Sequence, residues 1–389
     1  MPSRTLMTRI NHPSLITNTA HMPASTKANA SANVVNVAVA VIYYKNCYLL
    51  GFRHAAQHQG NLYEFVGGKI EAQEGAERAL IREVDEETGI NVADNLMVKL
   101  GRIHHDYGDK QVSLQVYQVE LTAGQYEQHK LAEYGLEGQA LKWVDKRALL
   151  AGEYPLPAAN RTILQWLQLP PAIAITYPLA HFGGHTDPAA AWLAYHQQHL
   201  LPSAWVYVRL KDASVSRADR TITQLMQRRP DIQVILPLTD DGSSSAEIRE
   251  VPTSQALMAH QSISAYHLTH TELLRWQHSQ YGQTAAADSI PAGQPLIISC
   301  HDAESIAAAN QLARIRIQQQ LPPVIGIFIS PVLSTQTHPD TAPLGWQAWS
   351  ALTKLADMPV IGLGGLSPSM IDKAKQYGGV SVAGIRQFL

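Results

Sequence analysis

The sequence predicts an α/β protein of more than one domain, whose C-terminal half forms a (β/α)8, or TIM, barrel. Its 389 residues far exceed the roughly 150 residues of an average domain. A charged helical pattern lies between strand-like segments in the N-terminal half, and eight short apolar runs follow residue 171. We therefore predict a flexible extension over residues 1–33 and two domains over residues 34–168 and 169–389.

Composition excludes several classes of protein. The formal net charge of −2 gives no overall field that would attract nucleic acid or an anionic membrane. The longest apolar stretch, residues 34–44, is shorter than the ~20 residues that a membrane-spanning helix needs. Cys47 and Cys300 are the only cysteines, which excludes a disulfide framework and favours a reducing, cytoplasmic location.

The first 33 residues are rich in Ser, Thr, Asn and Ala, and no acidic residue occurs before Glu64. We predict an unstructured extension, because no apolar core or cleavage pattern is visible; a targeting segment is the alternative.

Strand and helix patterns alternate through the N-terminal half. Residues 34–52 predict a β-hairpin around a Lys45-Asn46 turn, and residues 74–88 predict a helix that ends at Gly89. Strands are then predicted over residues 112–120 and 140–144, and a short helix over residues 160–168. The Leu169-Pro170-Pro171 segment predicts a domain boundary.

Three carboxylates of the predicted helix share one face. At 100° per residue, Glu83, Glu86 and Glu87 fall within about 100° of arc. Their mutual repulsion destabilises an isolated helix, and a divalent cation would reverse this effect. Carboxylate oxygens suit Mg²⁺, or alternatively Mn²⁺, and the Gly67-Gly68 turn offers a backbone carbonyl as a further ligand.

This segment resembles the signature of the Nudix hydrolases, G-x5-E-x7-R-E-U-x-E-E-x-G-U with U apolar. The matching residues are Gly68, Glu74, Arg82, Glu83, Val84, Glu86, Glu87, Gly89 and Ile90. The resemblance implies an α/β/α sandwich around a mixed sheet. It also implies that Glu83, Glu86 and Glu87, with Gly67, ligate Mg²⁺, that Arg82 orients the glutamates, and that water attacks a nucleoside diphosphate derivative.

Further residues resemble the MutT-type members, which hydrolyse 8-oxo-dGTP to the monophosphate and pyrophosphate. The matching positions are Arg53, Tyr63-Glu64-Phe65, Asp109-Lys110, Glu137-Gly138-Gln139 and Pro157-Ala158-Ala159-Asn160. The resemblance implies that Glu137 assists at the metal, and that Glu64 and Asp109 bind substrate. It further implies that Asn160 contacts the base edge, Phe65 stacks beside the base, and Arg53 contacts phosphate or ribose.

Each of these last three residues has an alternative: Phe65 in the core, Arg53 in a surface ion pair, and Asn160 as a helix N-cap. Val66 and Lys110 depart from the family, which usually has Pro and Arg there.

The apolar runs of the C-terminal half are continuous rather than alternating, as expected for parallel strands buried on both faces. They occupy residues 172–176, 204–210, 232–238, 263–268, 296–300, 324–330, 359–363 and 380–385. Eight such runs favour a (β/α)8 barrel; a doubly wound open sheet is the alternative.

Polar residues after these runs resemble thiamine-phosphate synthase, a barrel enzyme that joins a pyrimidine diphosphate to a thiazole phosphate. The resemblance implies that phosphate or another ligand is bound by Arg209, Lys211, Ser299, Thr335, Thr337, Gly364 and Gly365. Thr239-Asp240, Glu272 and His338 depart from the family's acidic and lysine positions. A thiazole or pyrimidine phosphate is the expected barrel ligand.

These observations lead to three hypotheses. The first is a MutT-like hydrolase of 8-oxo-dGTP, acting in nucleotide-pool sanitation and fused to the synthase-like barrel. The second is a Nudix hydrolase that acts on thiamin-related diphosphates. In the third, the barrel is a non-catalytic sensor of a phosphate ligand.

Overall fold

A mixed β-sheet with helices forms the N-terminal part of the fold, and a closed parallel barrel forms the C-terminal part. The computed structural model describes residues 34–56, 59–108, 110–210, 215–238, 263–281, 290–336 and 341–389. The predicted extension, residues 1–33, therefore lies outside the described residues.

The N-terminal sheet has seven strands in the order β3-β2-β1-β6-β5, with β4 paired to β1 and β7 paired to β2. The strands are β1 (Val35–Tyr44), β2 (Cys47–Phe52), β3 (Tyr63–Glu64), β4 (Val66–Lys69), β5 (Met97–Asp106), β6 (Gln111–Glu120) and β7 (Leu141–Asp145). Strands β1 and β6 are parallel, and the other pairs are antiparallel. The predicted hairpin and the mixed sheet are confirmed.

The predicted acidic helix is α1 (Ala76–Thr88). It begins two residues later than predicted, because Gly75 is extended, with φ −80° and ψ 150°. It ends as predicted at Gly89, whose φ of 71° is left-handed. Its apolar side buries Ala79, Leu80 and Val84 against the sheet.

Three short helices complete this part: α2 (Ala123–His129), α3 (Lys146–Leu150) and α4 (Asn160–Trp166). Strands β3, β4 and β5 and helices α2 and α3 were not predicted from the sequence. In β5 the register shifts between Lys99 and Gly101, so the alternation that marks a strand is broken there.

All eight predicted barrel strands are present, and the barrel closes through pairing of β8 with both β9 and β15. They are β8 (Ala172–Ile175), β9 (Trp205–Tyr207), β10 (Gln233–Pro237), β11 (Ile263–Leu268), β12 (Leu296–Cys300), β13 (Val324–Ile329), β14 (Val360–Leu363) and β15 (Ser381–Gly384). The open-sheet alternative is therefore wrong. Barrel helices within the described residues are α5 (Pro188–His199), α6 (Val215–Arg228), α7 (His270–Tyr281), α8 (Ala303–Gln318), α9 (Gly345–Thr353) and α10 (Ile371–Gln376).

The N-terminal part contacts the amino-terminal end of the barrel. The Trp166 indole N–H donates to the carbonyl of Val324, the first residue of β13, at 3.0 Å. The Lys99 amine donates to the carbonyls of Lys354 and Ala356, just before β14, at 3.0 and 2.8 Å. Within the described residues, no helix is both long enough and apolar enough to cross a membrane.

Candidate active site

The turn between β4 and α1 brings backbone directly against a carboxylate of the helix. A Cβ atom on Gly68 would lie 2.0 Å from Oε2 of Glu83, and a Cβ on Gly67 would lie 2.1 Å from the carbonyl oxygen of Ala38. Both contacts are shorter than real Cβ atoms make. Gly68 therefore lets the Glu83 carboxylate lie on the turn, and Gly67 lets the turn lie against the backbone of Ala38 in β1.

Arg82 joins three glutamates of the motif. Its Nη1 donates to Glu83 at 2.8 Å and to Glu86 at 3.0 Å. Its Nε and Nη2 donate to Glu74 at 3.1 and 3.0 Å. These charge-assisted bonds fix the direction of the Glu83 and Glu86 carboxylates.

Glu87 lies in the most crowded electrostatic environment of the site. Burial, and then the carboxylates of Glu64, Glu83 and Glu137, together raise its pKa to about 8, against a hydrogen bond from the Gly67 backbone that lowers it. Four carboxylates thus act on one small region. In the described part of the chain, no three His, Cys, Asp or Glu side chains converge closely enough to hold a metal ion together. Two of the predicted metal ligands, Glu83 and Glu86, are instead hydrogen-bonded to Arg82.

A loop distant in sequence brings Glu137 to this region. The N–H of Leu136 donates to the carbonyl of Glu87 at 2.8 Å, and the Gln139 amide donates to the same carbonyl at 3.2 Å. Glu137 is held between these two anchors. The structure therefore brings Glu137 near Glu87, and its role at a metal stays a prediction.

Within the described residues, the predicted substrate-binding residues lie directly after β2 (Arg53), in and after β3 (Glu64 and Phe65) and at the start of α4 (Asn160). Arg53 and Glu64 form an ion pair, with side chains 22% and 29% exposed. Burial raises the pKa of Glu64, and Arg53 opposes that shift. Phe65 is only 3% exposed and belongs to the hydrophobic core. Asp109 lies outside the described residues.

Asn160 is the first residue of α4 and is only 7% exposed. The N-cap of this helix is Ala159, and no side chain caps it. The N-cap alternative for Asn160 is therefore wrong. Among the described residues, no side chain or backbone group hydrogen-bonds with its amide group, which leaves that group available to a ligand.

Sequence reasoning missed one residue of this region. Tyr107 hydrogen-bonds with the backbone of Ala159, next to Asn160, and the positive charge of Arg53 acts on the Tyr107 hydroxyl. Its ring lies 4.4 Å from the ring of His105. A single tyrosine after a strand carries no sequence signal of such a position, which arises only when β5 pairs with the rest of the sheet.

A second group of predicted residues lies at the carboxyl-terminal end of the barrel. The N–H of Arg209 donates to the Thr176 hydroxyl at 2.9 Å, and Ser299 Oγ lies 2.8 Å from Nε2 of His267. The rings of His270 and His301 are 5.1 Å apart. Lys211 and Thr337, together with the departures Thr239, Asp240 and His338, lie outside the described residues.

The segment after β13 folds against the predicted glycine pair. Leu333 donates its N–H to the Gly364 carbonyl at 3.0 Å, and a Cβ on Gly365 would lie 2.5 Å from the Ser334 carbonyl oxygen. Thr335 follows directly in this segment. The Glu272 carboxylate accepts hydrogen bonds from both the backbone N–H and the hydroxyl of Thr269, at 2.8 and 2.7 Å. It is therefore hydrogen-bonded to the residue that precedes α7.

Comparison with known proteins agrees with this geometry in both halves. Residues 37–166 match the family described as NUDIX domain, and residues 285–388 match the family described as thiamine monophosphate synthase. The chain is 30% identical over 135 residues to the 8-oxo-dGTP diphosphatase of Escherichia coli K12, which covers 34% of this chain and 96% of that protein. It is 33% identical over 138 residues to the CTP pyrophosphohydrolase of the same organism, covering 34% and 90% of the two chains.

The barrel relative is matched over a shorter stretch. It is an Aquifex aeolicus protein provisionally named thiamine-phosphate synthase 2, 32% identical over 63 residues, which cover 16% of this chain and 34% of that protein. The match thus spans about a third of the length of that relative.

Proposed function

Because the chain belongs to the Nudix hydrolases through residues 37–166, we propose a specific activity for its N-terminal part. Residues 285–388 match the thiamine monophosphate synthase family. The N-terminal part is a Mg²⁺-dependent pyrophosphohydrolase of nucleoside triphosphates, and 8-oxo-dGTP is its preferred substrate. The products are 8-oxo-dGMP and pyrophosphate. The observation that carries this proposal is the group of carboxylates around Glu87, with Asn160 and the Arg53–Glu64 pair on the neighbouring elements.

The donor atoms of these residues, carboxylate oxygens and one backbone carbonyl, are of the kind that a divalent cation prefers. The pKa of Glu87 rises because of its burial and, after that, because Glu64, Glu83 and Glu137 repel its negative charge. A cation held among these oxygens would remove the repulsion. Glu83, Glu86, Glu87 and Glu137, with the Gly67 carbonyl, would hold it. When bound, the metal supplies charge stabilisation for the phosphoryl oxygens and lowers the pKa of the attacking water.

The protein's own groups bind and orient the substrate. Arg82 fixes two of the carboxylates through hydrogen bonds of 2.8 and 3.0 Å. Arg53 offers positive charge toward phosphate or ribose, and Glu64 limits the directions that its guanidinium can take. Asn160 presents an amide, which both donates and accepts, to the edge of the base. The base would thus be selected by hydrogen bonds rather than by pocket volume alone.

A second candidate function belongs to the barrel. We propose that its carboxyl-terminal end binds a thiazole or pyrimidine phosphate. The residues that would contact this molecule are Arg209, Ser299, Thr335, Gly364 and Gly365. Lys211 and Thr337 belong to the same predicted set and lie outside the described residues. The contact of His267 with Ser299 favours a built polar site there. Synthase activity and non-catalytic sensing of the phosphate are the two forms of this proposal.

The experiment is product analysis of the purified full chain with Mg²⁺ and a matched set of substrates. These are 8-oxo-dGTP, dGTP, CTP and thiamin diphosphate. We expect the highest kcat/KM for 8-oxo-dGTP, with pyrophosphate rather than orthophosphate released. A higher value for thiamin diphosphate would transfer the function to thiamine metabolism, and a higher value for CTP would overturn the proposed base preference.

A further inference from the structure

An open cleft of about 560 Å³ lies on the face of the N-terminal sheet that α1 covers, near the start of that helix. Its lining residues are Val34, Asn36, Ile70, Glu71, Ala72, Glu74, Arg102, His104, Ser113 and Gln115. Its volume is in the range of small-molecule sites. None of these residues except Glu74 takes part in the site described above.

The floor of the cleft is a set of polar side chains on three adjacent strands. On β1, Ala38, Ala40 and Ile42 pack under α1, and Asn36 is the next position on the same face. Asn36 pairs with Ser113 of β6, which pairs with His104 of β5. Gln115 of β6 pairs in the same way with Arg102 of β5. These polar residues therefore share one face of the sheet.

Several polar side chains of this floor have no hydrogen-bond partner in the described protein, although Arg102 lies near Asp357 and His104 lies 3.4 Å from Nη2 of Arg314. Among the described residues, the side chains of Asn36, Ser113 and Gln115 make no hydrogen bond, and Ser113 is only 3% exposed. The Nε atom of Arg102 is buried and also has no hydrogen-bond partner. An unpartnered polar group costs stability where it is buried, as at the Nε atom of Arg102 and in the nearly buried Ser113. Asn36 is exposed and Gln115 is half-buried, so both side chains are open to a ligand. Apolar residues continue the same strand faces under α1. This pattern indicates a site for a ligand that supplies the missing partners.

The charges at the cleft define the ligand's chemistry. Arg102 and Arg314 share the single carboxylate of Asp357, at 3.7 and 3.8 Å, so this end carries a net positive charge. Two carboxylates also line the cleft: that of Glu74 is already hydrogen-bonded to Arg82 and to the Glu71 backbone, and that of Glu71 belongs to an exposed residue. A ligand that places an anionic group near Arg102 and polar groups over Asn36 and Gln115 would form hydrogen bonds with the side chains of the floor.

We propose that this cleft binds a small, hydroxyl-rich metabolite that bears an oxyanion, either a phosphate monoester or a carboxylate. The anionic group binds at Arg102, and the hydroxyl groups bind Asn36, Ser113 and Gln115. The proposal does not depend on the function proposed for the carboxylate site.

The test is calorimetric titration of the full chain with ribose 5-phosphate and with gluconate, and with ribose as the uncharged control. We expect ribose 5-phosphate or gluconate to bind with a dissociation constant at or below about 1 mM, and ribose to bind at least 10-fold more weakly. The probe that binds more tightly identifies the phosphate or the carboxylate form of the ligand.

Variants connect the binding to the cleft. Gln115→Leu should weaken binding at least 10-fold while hydrolase activity and Tm are retained, because Gln115 makes no hydrogen bond in the protein. Asn36→Leu is a second variant of the same kind, and Gln168→Leu, an exposed glutamine outside the cleft, is the control. The proposal is overturned if neither anion binds, or if both are bound equally well by the wild type, Gln115→Leu and Asn36→Leu.

Discussion

Asn160 differs from its surroundings because it is a buried polar residue with nothing in the described structure bound to its amide. It starts α4 beside Ala159, whose backbone bonds with Tyr107. The residue before Asn160 is therefore held in place, while the side-chain amide of Asn160 has no hydrogen-bond partner among the described residues. At the scale of single residues, this makes it the best candidate for contact with the base.

Asn160→Ala should lower kcat/KM for 8-oxo-dGTP by about 10- to 100-fold, because the variant removes hydrogen bonds that only the correct base makes. The loss for CTP should be smaller. Steady-state kinetics with both substrates measure the difference, and Gln165→Ala on the same helix is the control. Equal losses for the two substrates would show that Asn160 acts on the fold rather than on the base.

At the scale of elements, prediction from sequence succeeded where the pattern is local. The α1 motif and the eight barrel runs are visible because helix spacing and continuous apolar runs are properties of short segments. Strand β5 was missed because the shift at Gly101 breaks its alternation. The approach of Glu137 to Glu87 depends on a loop anchored at Leu136, and only the resemblance could suggest it. The roles of the barrel residues stay a prediction.

Helix α5 contains a buried histidine whose protonation makes the stability of the fold depend on pH. His196 is 0% exposed, its Nδ1 lies 2.7 Å from the Trp192 carbonyl, and its Nε2 accepts from the Tyr177 N–H at 3.1 Å. The contact at Nε2 requires the neutral ring, because a protonated Nε2 cannot accept a hydrogen bond. Burial lowers its pKa to about 4.

Stability should therefore fall as the pH drops from about 6.5 to 4, because the unfolded chain binds a proton at His196 that the folded chain does not. The fall attributable to this group is up to about 3 kcal/mol. Denaturant unfolding at several pH values measures it. His196→Gln should flatten the profile in this range, whereas His199→Gln, an exposed histidine with the same contact to the carbonyl four residues earlier, should not. Parallel profiles for the wild type and His196→Gln would contradict the assignment.

At the scale of the whole molecule, the two halves share a close interface. The N–H of Arg102 donates to the Asp357 carbonyl at 3.1 Å, and a Cβ on Gly101 would lie 2.5 Å from that carbonyl oxygen and 2.6 Å from the Trp166 ring. This interface is at the amino-terminal end of the barrel. The predicted barrel ligands are at its carboxyl-terminal end, so the two candidate sites do not face each other.

Gly101→Ala should destabilise the full chain by about 1–3 kcal/mol, because the added methyl group meets backbone and a buried ring that have no room to move. Differential scanning calorimetry measures the change in Tm. Gly124→Ala is the control, since the nearest atom to its Cβ is a side-chain oxygen 4.0 Å away. An unchanged Tm in Gly101→Ala would show that the interface is looser than described.

The central claim is that the carboxylates of α1 hydrolyse a nucleoside triphosphate. The measurement that tests it most directly is kcat for 8-oxo-dGTP with saturating Mg²⁺, in Glu83→Gln and in Glu77→Gln. Glu77 is an exposed acid in the first turn of the same helix, so the pair separates the site from the helix charge. We predict a loss of about 100-fold or more in Glu83→Gln, the scale expected when one electrostatic group of an active site is removed, and less than about 2-fold in Glu77→Gln. Equal activity in the two variants would contradict the account.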